Sequence, residues 1–474
     1  MTDETRYRPA LQRAFDLSLA YLKDVKEGRA SADRSCEELR ARFDRPMPID
    51  GEDPGTIVSK IAEAAAGGLT GTAGGRFFGW VIGGSLPSAL AADWLAGAWD
   101  QNAALYACSP ASAVVEEVAG RWIKELLELP SGASFAFVTG CQMAHVTCLA
   151  AARHAVLEKA GWDVGERGLA GAPAVRIITS SEYHESITRA VKLLGLGAGS
   201  ILPLPPDGEG RLTPDALERA LRDRPDDPTI VLLQAGDVNT GVFDPFTDLV
   251  PLARRRGAWV HVDGAFGLWA RTSPAFRHLL DGVEGADSWT TDGHKWLNVP
   301  YDCGIAVVAR PEAHRASMSL RGESYLDYAS KARDQMDWNP EFSRRARGFA
   351  VYAALCELGR SGLAELIDRT CRHARTLVAG IGALAGAEVV RAPVINQGLV
   401  RFLDPAPGAD AAAQDRRTDA VMDEVLRSGE AFFTGTTWRG RRCMRVSVSS
   451  WRTGEDDVAR AIRAVGAAVA RAGA

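Results

Sequence analysis

The sequence predicts an α/β protein, with a large domain on a mostly parallel sheet covered on both faces and a smaller α+β domain after it. Three observations carry this prediction. Between about residues 77 and 330, short β-branched or apolar runs alternate with stretches of helical periodicity, the pattern of strands joined by helical crossovers. The runs are followed by residues able to do chemistry, as expected at the carboxyl ends of strands in open α/β sheets. Beyond about residue 340 the alternation stops, and long helix, turn and strand follow.

In chain order, the first 50 residues read as a helix and an extended arm. Leu11, Phe15, Leu19 and Leu22 recur at helical spacing until Pro46 and Pro48 break the pattern. This piece has little of its own to bury, so it is expected to pack on another domain or another subunit. Residues 62–76 are small and flexible, a joint or an active-site loop. Strands are predicted at Phe135–Thr139, Ala174–Thr179, Ile230–Gln234, Trp259–Val262 and Gly304–Ala309. Helices are predicted at Ala113–Leu127, Gln142–Ala155 and Ser186–Leu194. A helix from Ser343 to Arg360, a turn at Pro405–Gly408, a strand at Met444–Ser449 and an Ala-rich helix at Glu455–Ala470 make up the rest. The expected division is an N-terminal helical arm (1–75), a large domain (76–340) and a small C-terminal domain (341–474).

Composition narrows the function. The 474 residues are 46% hydrophobic and 24% charged, enough to bury a sizeable core. Lys and Arg number 55 against 60 Asp and Glu, a net charge of −5, which argues against a nucleic-acid binder. The longest uncharged runs, such as Phe77–Ala92, are shorter than the roughly 18 residues a bilayer span needs. The N-terminus is charged and lacks the apolar stretch of a secretory signal. Eight scattered cysteines with no C-x-x-C pair read as reduced thiols of a cytoplasmic protein, and no metal site is expected. The 48 glycines suggest an enzyme with many tight turns.

Four local features stand in a fixed order. Val138-Thr139-Gly140-Cys141-Gln142-Met143-Ala144 follows a strand and opens a helix, where backbone N–H groups can face an anion; a plain strand–helix turn would look the same. Tyr183-His184-Glu185-Ser186 places a histidine after the next strand, for a structural or a functional role. Asp263 ends an apolar strand and must be paired or well hydrogen-bonded, either as a helix cap or as partner to a protonated ring nitrogen of a ligand. Lys295 lies between His294 and Trp296 in a run poor in other charges, where a lowered pKa would leave a neutral amine for Schiff-base chemistry.

In this order the four features resemble the fold-type I pyridoxal-5′-phosphate (PLP) enzymes, whose architecture is aspartate-aminotransferase-like. The resemblance is closest to the group II decarboxylases, which include aromatic-amino-acid and glutamate decarboxylases. It covers most of the chain, from Arg76-Phe77-Phe78-Gly79-Trp80 through Cys108-Ser109-Pro110-Ala111 and Arg344-Arg345-Ala346-Arg347 to Met444-Arg445-Val446-Ser447-Val448-Ser449. His-Lys-Trp with the upstream aspartate is its specific part. The resemblance implies decarboxylation of an L-amino acid to its amine with release of CO₂, in a homodimer with active sites near the subunit interface. Lys295 would form the Schiff base, Asp263 would pair with the pyridine nitrogen, His184 would stack on the ring, and Ala265 would leave the other face open. Gly140, Cys141 and Gln142 would hold the phosphate, with His294 assisting there or acting as an acid. Arg445 would meet a substrate carboxylate, or make a surface salt bridge. Phe78 and Trp80, with Tyr106 and Trp338, would line an aromatic-accepting pocket or belong to the core, and Ala103 and Ala104 would widen that pocket.

The chain departs from the family pattern in three places. Asp292-Gly293 replaces the usual Asn-Pro, and a carboxylate near a phosphate is unfavourable unless it points away or is protonated. The Gly236–Gly241 turn offers Asn239 in place of a hydroxyl contact. An ungapped match puts Gln335 where decarboxylases carry the loop tyrosine that returns a proton to the substrate, with Tyr325 and Tyr328 nearby. Relatives lacking that tyrosine yield an aldehyde using oxygen. The alternatives are therefore a carbon–carbon lyase or an oxygen-dependent aldehyde synthase of the same fold, or a silent PLP-binding homologue.

Overall fold

The computed structural model describes residues 3–319 and 333–472. Its main sheet has seven strands: β1 (Ser134–Val138), β2 (Arg176–Ser180), β3 (Ile201–Leu204), β4 (Thr229–Gln234), β5 (Trp259–Asp263), β6 (Ser288–Asp292) and β7 (Gly304–Val308). They lie in the order β1-β7-β6-β5-β4-β2-β3. All neighbours run parallel except β7, which is antiparallel to both β1 and β6. Every residue of β1, β2, β4, β5, β6 and β7 is buried, which is why most of these strands read as continuous apolar runs rather than alternating ones. The predicted strands of this sheet fall within two residues of those observed.

Two strands of this sheet were not foreseen. In β6 the sequence Ser-Trp-Thr-Thr-Asp is polar, yet wholly buried. In β3 the strand carries Pro203 at the sheet edge, where a missing N–H is tolerated. The antiparallel turn from β6 to β7 matters most for function. Asp292 pairs in register with Gly304, so both ends of the segment holding His294 and Lys295 are pinned to the sheet.

The helix Cys141–Lys159 covers the sheet with Ala144, Cys148, Ala151, Ala152 and Ala155, small side chains that permit close approach to Val138, Ile177, Ile230 and Leu232. Each fully buried Ile or Leu in that cluster contributes about 1.5–3 kcal/mol.

The chain divides into two compact units: Val81–Arg372 with Pro393–Gln397, which holds the seven-stranded sheet, and Met1–Trp80 with His373–Ala392 and Gly398–Ala474. The second of these has a four-stranded sheet in the order β10-β11-β9-β8, from β8 (Ala387–Arg391), β9 (Gln397–Phe402), β10 (Thr434–Trp438) and β11 (Arg441–Ser447). The helices Ala411–Ser428 and Glu455–Ala472 cover it through Val421, Val425, Val458, Ala461 and Val465. The units cut the chain differently from the three segments read in the sequence. Residues 1–75 share a unit with the C-terminal segment, and the chain leaves the larger unit inside the helix Gly348–Gly382, which is kinked at Gly359 (φ 59°), rather than near residue 340. The region read as flexible from residue 62 begins inside a helix, Pro54–Ala65, whose N-cap Asp53 accepts the N–H of Thr56.

Candidate active site

The carboxyl ends of β1, β4, β5 and β6 and the segment after β2 open on one cavity of about 400 Å³. Of the residues singled out in the sequence, Gly140, Cys141, Gln142, His184, Asp263, Ala265, His294 and Lys295 line it. They come from four separate stretches of chain, so the parallel topology brings them together.

Lys295 sits three residues beyond the end of β6, with its side chain 23% exposed. Its Nζ lies 3.2 Å from Oδ2 of Asp292, a carboxylate 3% exposed. Burial alone would lower the lysine's pKa, but Asp292, with Cys141 and Asp263, outweighs it and the net direction is upward. The structure thus corrects the expectation of a neutral amine: the three-residue spacing in the turn supplies an ion-pair partner that desolvation does not overcome. The turn is tight, and a Cβ at Gly83 would run into the carbonyl oxygen of Lys295.

Asp292 also answers the question raised by its replacement of asparagine. Its Oδ1 accepts the N–H of Cys141 at 2.7 Å. The Cys141 N–H expected to hold a phosphate is therefore already engaged. At this helix start the N–H groups of Met143 and Ala144 bond to the carbonyl of Gly140, which leaves Gln142 as the first-turn donor for an anion. His294 Nε2 lies 3.6 Å from the same Asp292 Oδ1, while His294 Nδ1 accepts the N–H of Cys303 at 3.0 Å. Its hydrogen accordingly resides on Nε2, and burial, only partly offset by Asp292, keeps its pKa low.

Asp263 closes β5, in register with Gln234 of β4 and Thr290 of β6. Its Oδ1 accepts the N–H of Ala265 at 3.1 Å, and its Oδ2 faces Nε2 of His145 at 3.5 Å. Burial would raise this carboxyl's pKa, but His145, His184 and Lys295 hold it well below the usual carboxylate range. His184 is exposed on the cavity wall. Its Nδ1 is 2.8 Å from the Ser186 hydroxyl and accepts the Ser186 N–H at 3.2 Å, which fixes the ring plane.

Other expected residues are not among those lining this cavity. In the turn after β4, Asp237 Oδ1 accepts the N–H groups of Asn239 and Thr240, and Val238, not Asn239, lines the cavity. Gly236 at the head of that turn has φ 92°, a conformation open to glycine. Phe78, Trp80 and Arg445 belong to the other compact unit. Phe78 is fully buried in that unit's core, stacked on Phe433 at 5.3 Å, a packing role rather than a pocket wall. Trp80 is exposed beside Phe432, and Arg445 on β11 donates to Thr434 Oγ1 at 3.4 Å. Trp338 packs edge-on against His314, with Arg333 over its ring. Tyr106 donates its N–H to Asp334, and Ala103 and Ala104 are buried. Gln335 is buried in a short turn, and Tyr325 and Tyr328 lie outside the described residues.

The sequence reading missed His145 and the clamp made by Asp292. His145 stands four residues after Cys141, one helical turn behind the anion-facing start, and that periodicity was the available signal.

A family model described as "Pyridoxal-dependent decarboxylase conserved domain" matches residues 36–403, most of the chain and every wall of this cavity. The chain belongs to the pyridoxal-dependent decarboxylase family. Its cofactor is PLP, and its reaction is the decarboxylation of an amino acid. An aromatic-L-amino-acid decarboxylase of Bacillus atrophaeus is 24% identical over 452 residues, 94% of this chain and 92% of that protein. A 4-hydroxyphenylacetaldehyde synthase of Rhodiola rosea is 28% identical over 408 residues, 84% and 81% of the two chains. The fold is that of the crystal structure of Oryza sativa TDC with PLP and tryptamine, with a TM-score of 0.91 at 24% identity over 99% of this chain and 98% of that one. The α/β architecture expected from the sequence is thus established, and among the described residues no helix is long and apolar enough to cross a membrane.

Proposed function

We propose that this cavity is the decarboxylation site and that Lys295 is its covalent anchor for PLP. The observation that carries the reading is the donor set. One amine, one buried carboxylate held ionised, one glycine-led helix start and one fixed imidazole share a single cavity, and these are the groups PLP requires. On this reading Asp263 keeps a proton on the ring nitrogen. Lys295 would hold the aldehyde carbon, Gln142 and the helix start at Gly140 would hold the phosphate, and His184 and Ala265 would flank the ring. When bound, PLP supplies the electron sink for the pair released from the Cα–carboxylate bond.

The chain's own contribution is position and proton control. Lys295 must lose a proton before it can act as a nucleophile, and the Asp292 carboxylate, with Oδ2 at 3.2 Å, holds that proton on the amine. His294, neutral with its hydrogen on Nε2, neither competes for that proton nor adds positive charge beside the amine. The substrate is an L-amino acid, and the product an amine and CO₂. The working enzyme is a homodimer in the cytoplasm; the exposed apolar side chains Leu11, Phe15 and Leu19 on the first helix support pairing with a second copy.

A second reading, favoured by Gln335 where decarboxylases carry a tyrosine, is oxygen-dependent aldehyde formation at the same site. One experiment tests both: a panel of L-amino acids assayed for CO₂, amine, aldehyde and peroxide. Amine in step with CO₂ is the expected result. Peroxide and aldehyde in step with CO₂ would establish the second reading, and no CO₂ from any amino acid would overturn both.

A further inference from the structure

Behind Asp263 lies a row of buried groups that no step above uses. His145 is fully enclosed, and its Nε2, 3.5 Å from Asp263 Oδ2, has no hydrogen-bond partner among the described residues. Its Nδ1 is 3.0 Å from Nε2 of His261. His261 Nδ1 is 2.9 Å from the Ser288 hydroxyl, and the Trp259 indole N–H donates to that same oxygen at 2.9 Å. His261, Ser288 and Trp259 are as deeply buried as His145.

The far end of the row sets its direction. An indole N–H can only donate, so the Ser288 oxygen accepts from Trp259, and its own hydrogen goes to His261 Nδ1, a stronger acceptor than the neighbouring Cys148 thiol. Burial, followed by the neighbouring His145, holds the His261 pKa down to about 3, so this ring is neutral at ordinary pH. With Nδ1 accepting, its one hydrogen is on Nε2 and is donated to His145 Nδ1. The hydrogen of a neutral His145 is then on Nε2, facing Asp263. Each donor is used once, and the row ends on the carboxylate. The reverse order would leave the Ser288 hydrogen only the Cys148 thiol, a weak acceptor. It would also turn either a lone pair or an imidazolium of His145 towards Asp263. A lone pair would repel the carboxylate. An imidazolium would neutralise charge that the ring nitrogen of PLP needs.

We propose that His145 is a positioning residue for Asp263: backed by His261, Ser288 and Trp259, it presents its Nε2–H to Oδ2 and so keeps the carboxylate ionised and fixed in the cavity wall. This rests on the reading of Asp263 as the ring-nitrogen partner. The charged and titratable groups around that carboxylate are His145 and Cys141 from the covering helix, His261 from β5, His184 from the segment after β2, and Lys295 from the turn after β6.

The test has two parts. The full-length protein is labelled with ¹⁵N-histidine and its ring nitrogens are read by NMR with and without PLP. Neutral rings protonated at Nε2 are expected at both His145 and His261. An imidazolium at His145, or a hydrogen on Nδ1 of His261, overturns the proposal. Next, ring-¹⁵N-PLP is bound to His145→Leu and His145→Gln. In His145→Leu the ring nitrogen is expected to move to the neutral-pyridine position, with PLP affinity down roughly tenfold or more. His145→Gln, which keeps an N–H donor, restores both. A protonated ring nitrogen with unchanged affinity in His145→Leu refutes the proposal. Should that variant not fold, the wild-type histidine spectra decide it alone. If the wild-type protein takes up no PLP, the cofactor reading of the cavity fails instead, and the direction of the row is still measured.

Discussion

Replacing Asp292 by asparagine should make Lys295 a better nucleophile. The substitution is nearly isosteric, and the amide oxygen can still accept the Cys141 N–H now bonded at 2.7 Å. It removes the charge 3.2 Å from the Lys295 amine, the influence that most strongly opposes desolvation there. An opposite charge at this range moves a pKa by about 1–3 pH units. Its loss should lower the lysine pKa by that amount, raising the free-amine fraction about 10- to 1000-fold, or about 1.4–4 kcal/mol. The carboxylate that would otherwise crowd an incoming phosphate is removed in the same step. The assay is stopped-flow absorbance after mixing apoprotein with PLP across a pH series. Capture by Asp292→Asn should be faster at neutral pH, and its pH midpoint should fall by about 1–3 units. An unchanged midpoint, or slower capture at every pH, would refute the argument; slower capture would mean that Asp292 serves mainly as the base that takes the proton.

Two further expectations follow from buried groups. His314 accepts the Ser134 hydroxyl at Nδ1 (2.8 Å) and donates from Nε2 to the Trp338 carbonyl (2.9 Å), and burial holds its pKa down to about 3. The unfolded chain binds that proton below about pH 6.5 while the folded chain does not, so stability is full above that pH and falls as pH drops towards 3, by about 1.4 kcal/mol per pH unit for this residue. Urea unfolding of His314→Gln between pH 4 and 6 should show a slope shallower by that amount, and a slope equal to wild type would contradict the assignment. Ala265→Leu should crowd the ring face of the cavity. An overpacking cost of about 1–3 kcal/mol corresponds to PLP affinity weaker by about 5- to 150-fold, measurable by equilibrium dialysis. Unchanged affinity would place the cofactor away from Ala265.

How much was legible in the sequence depended on where each signal lay. Strands β1, β2, β4, β5 and β7 could be read because both their faces are buried and their residues are mostly apolar or β-branched. β6 escaped because Ser288, Thr290, Thr291 and Asp292 are polar, although the strand is fully enclosed. The cavity residues could be read because each lies within a few positions of a strand end. The row behind Asp263 could not, because His145 and His261 are far apart in sequence and meet only through the packing of a helix on β5. His261 does alternate with Asp263 on one face of that strand, a period-two relation that is uninformative without the helix. The protonation of Lys295 was misjudged for a similar reason: its neighbours in sequence argued for desolvation, whereas the turn geometry supplied Asp292.

The central claim is that Lys295 is the covalent anchor. Borohydride reduction of the PLP-loaded protein, followed by peptide mass mapping, tests it most directly. The cofactor mass is expected on the peptide containing Lys295, and Lys295→Ala should carry none and release no CO₂ from any amino acid that wild type decarboxylates. A label on a different lysine, or a Lys295→Ala protein that keeps both label and CO₂ release, would contradict it.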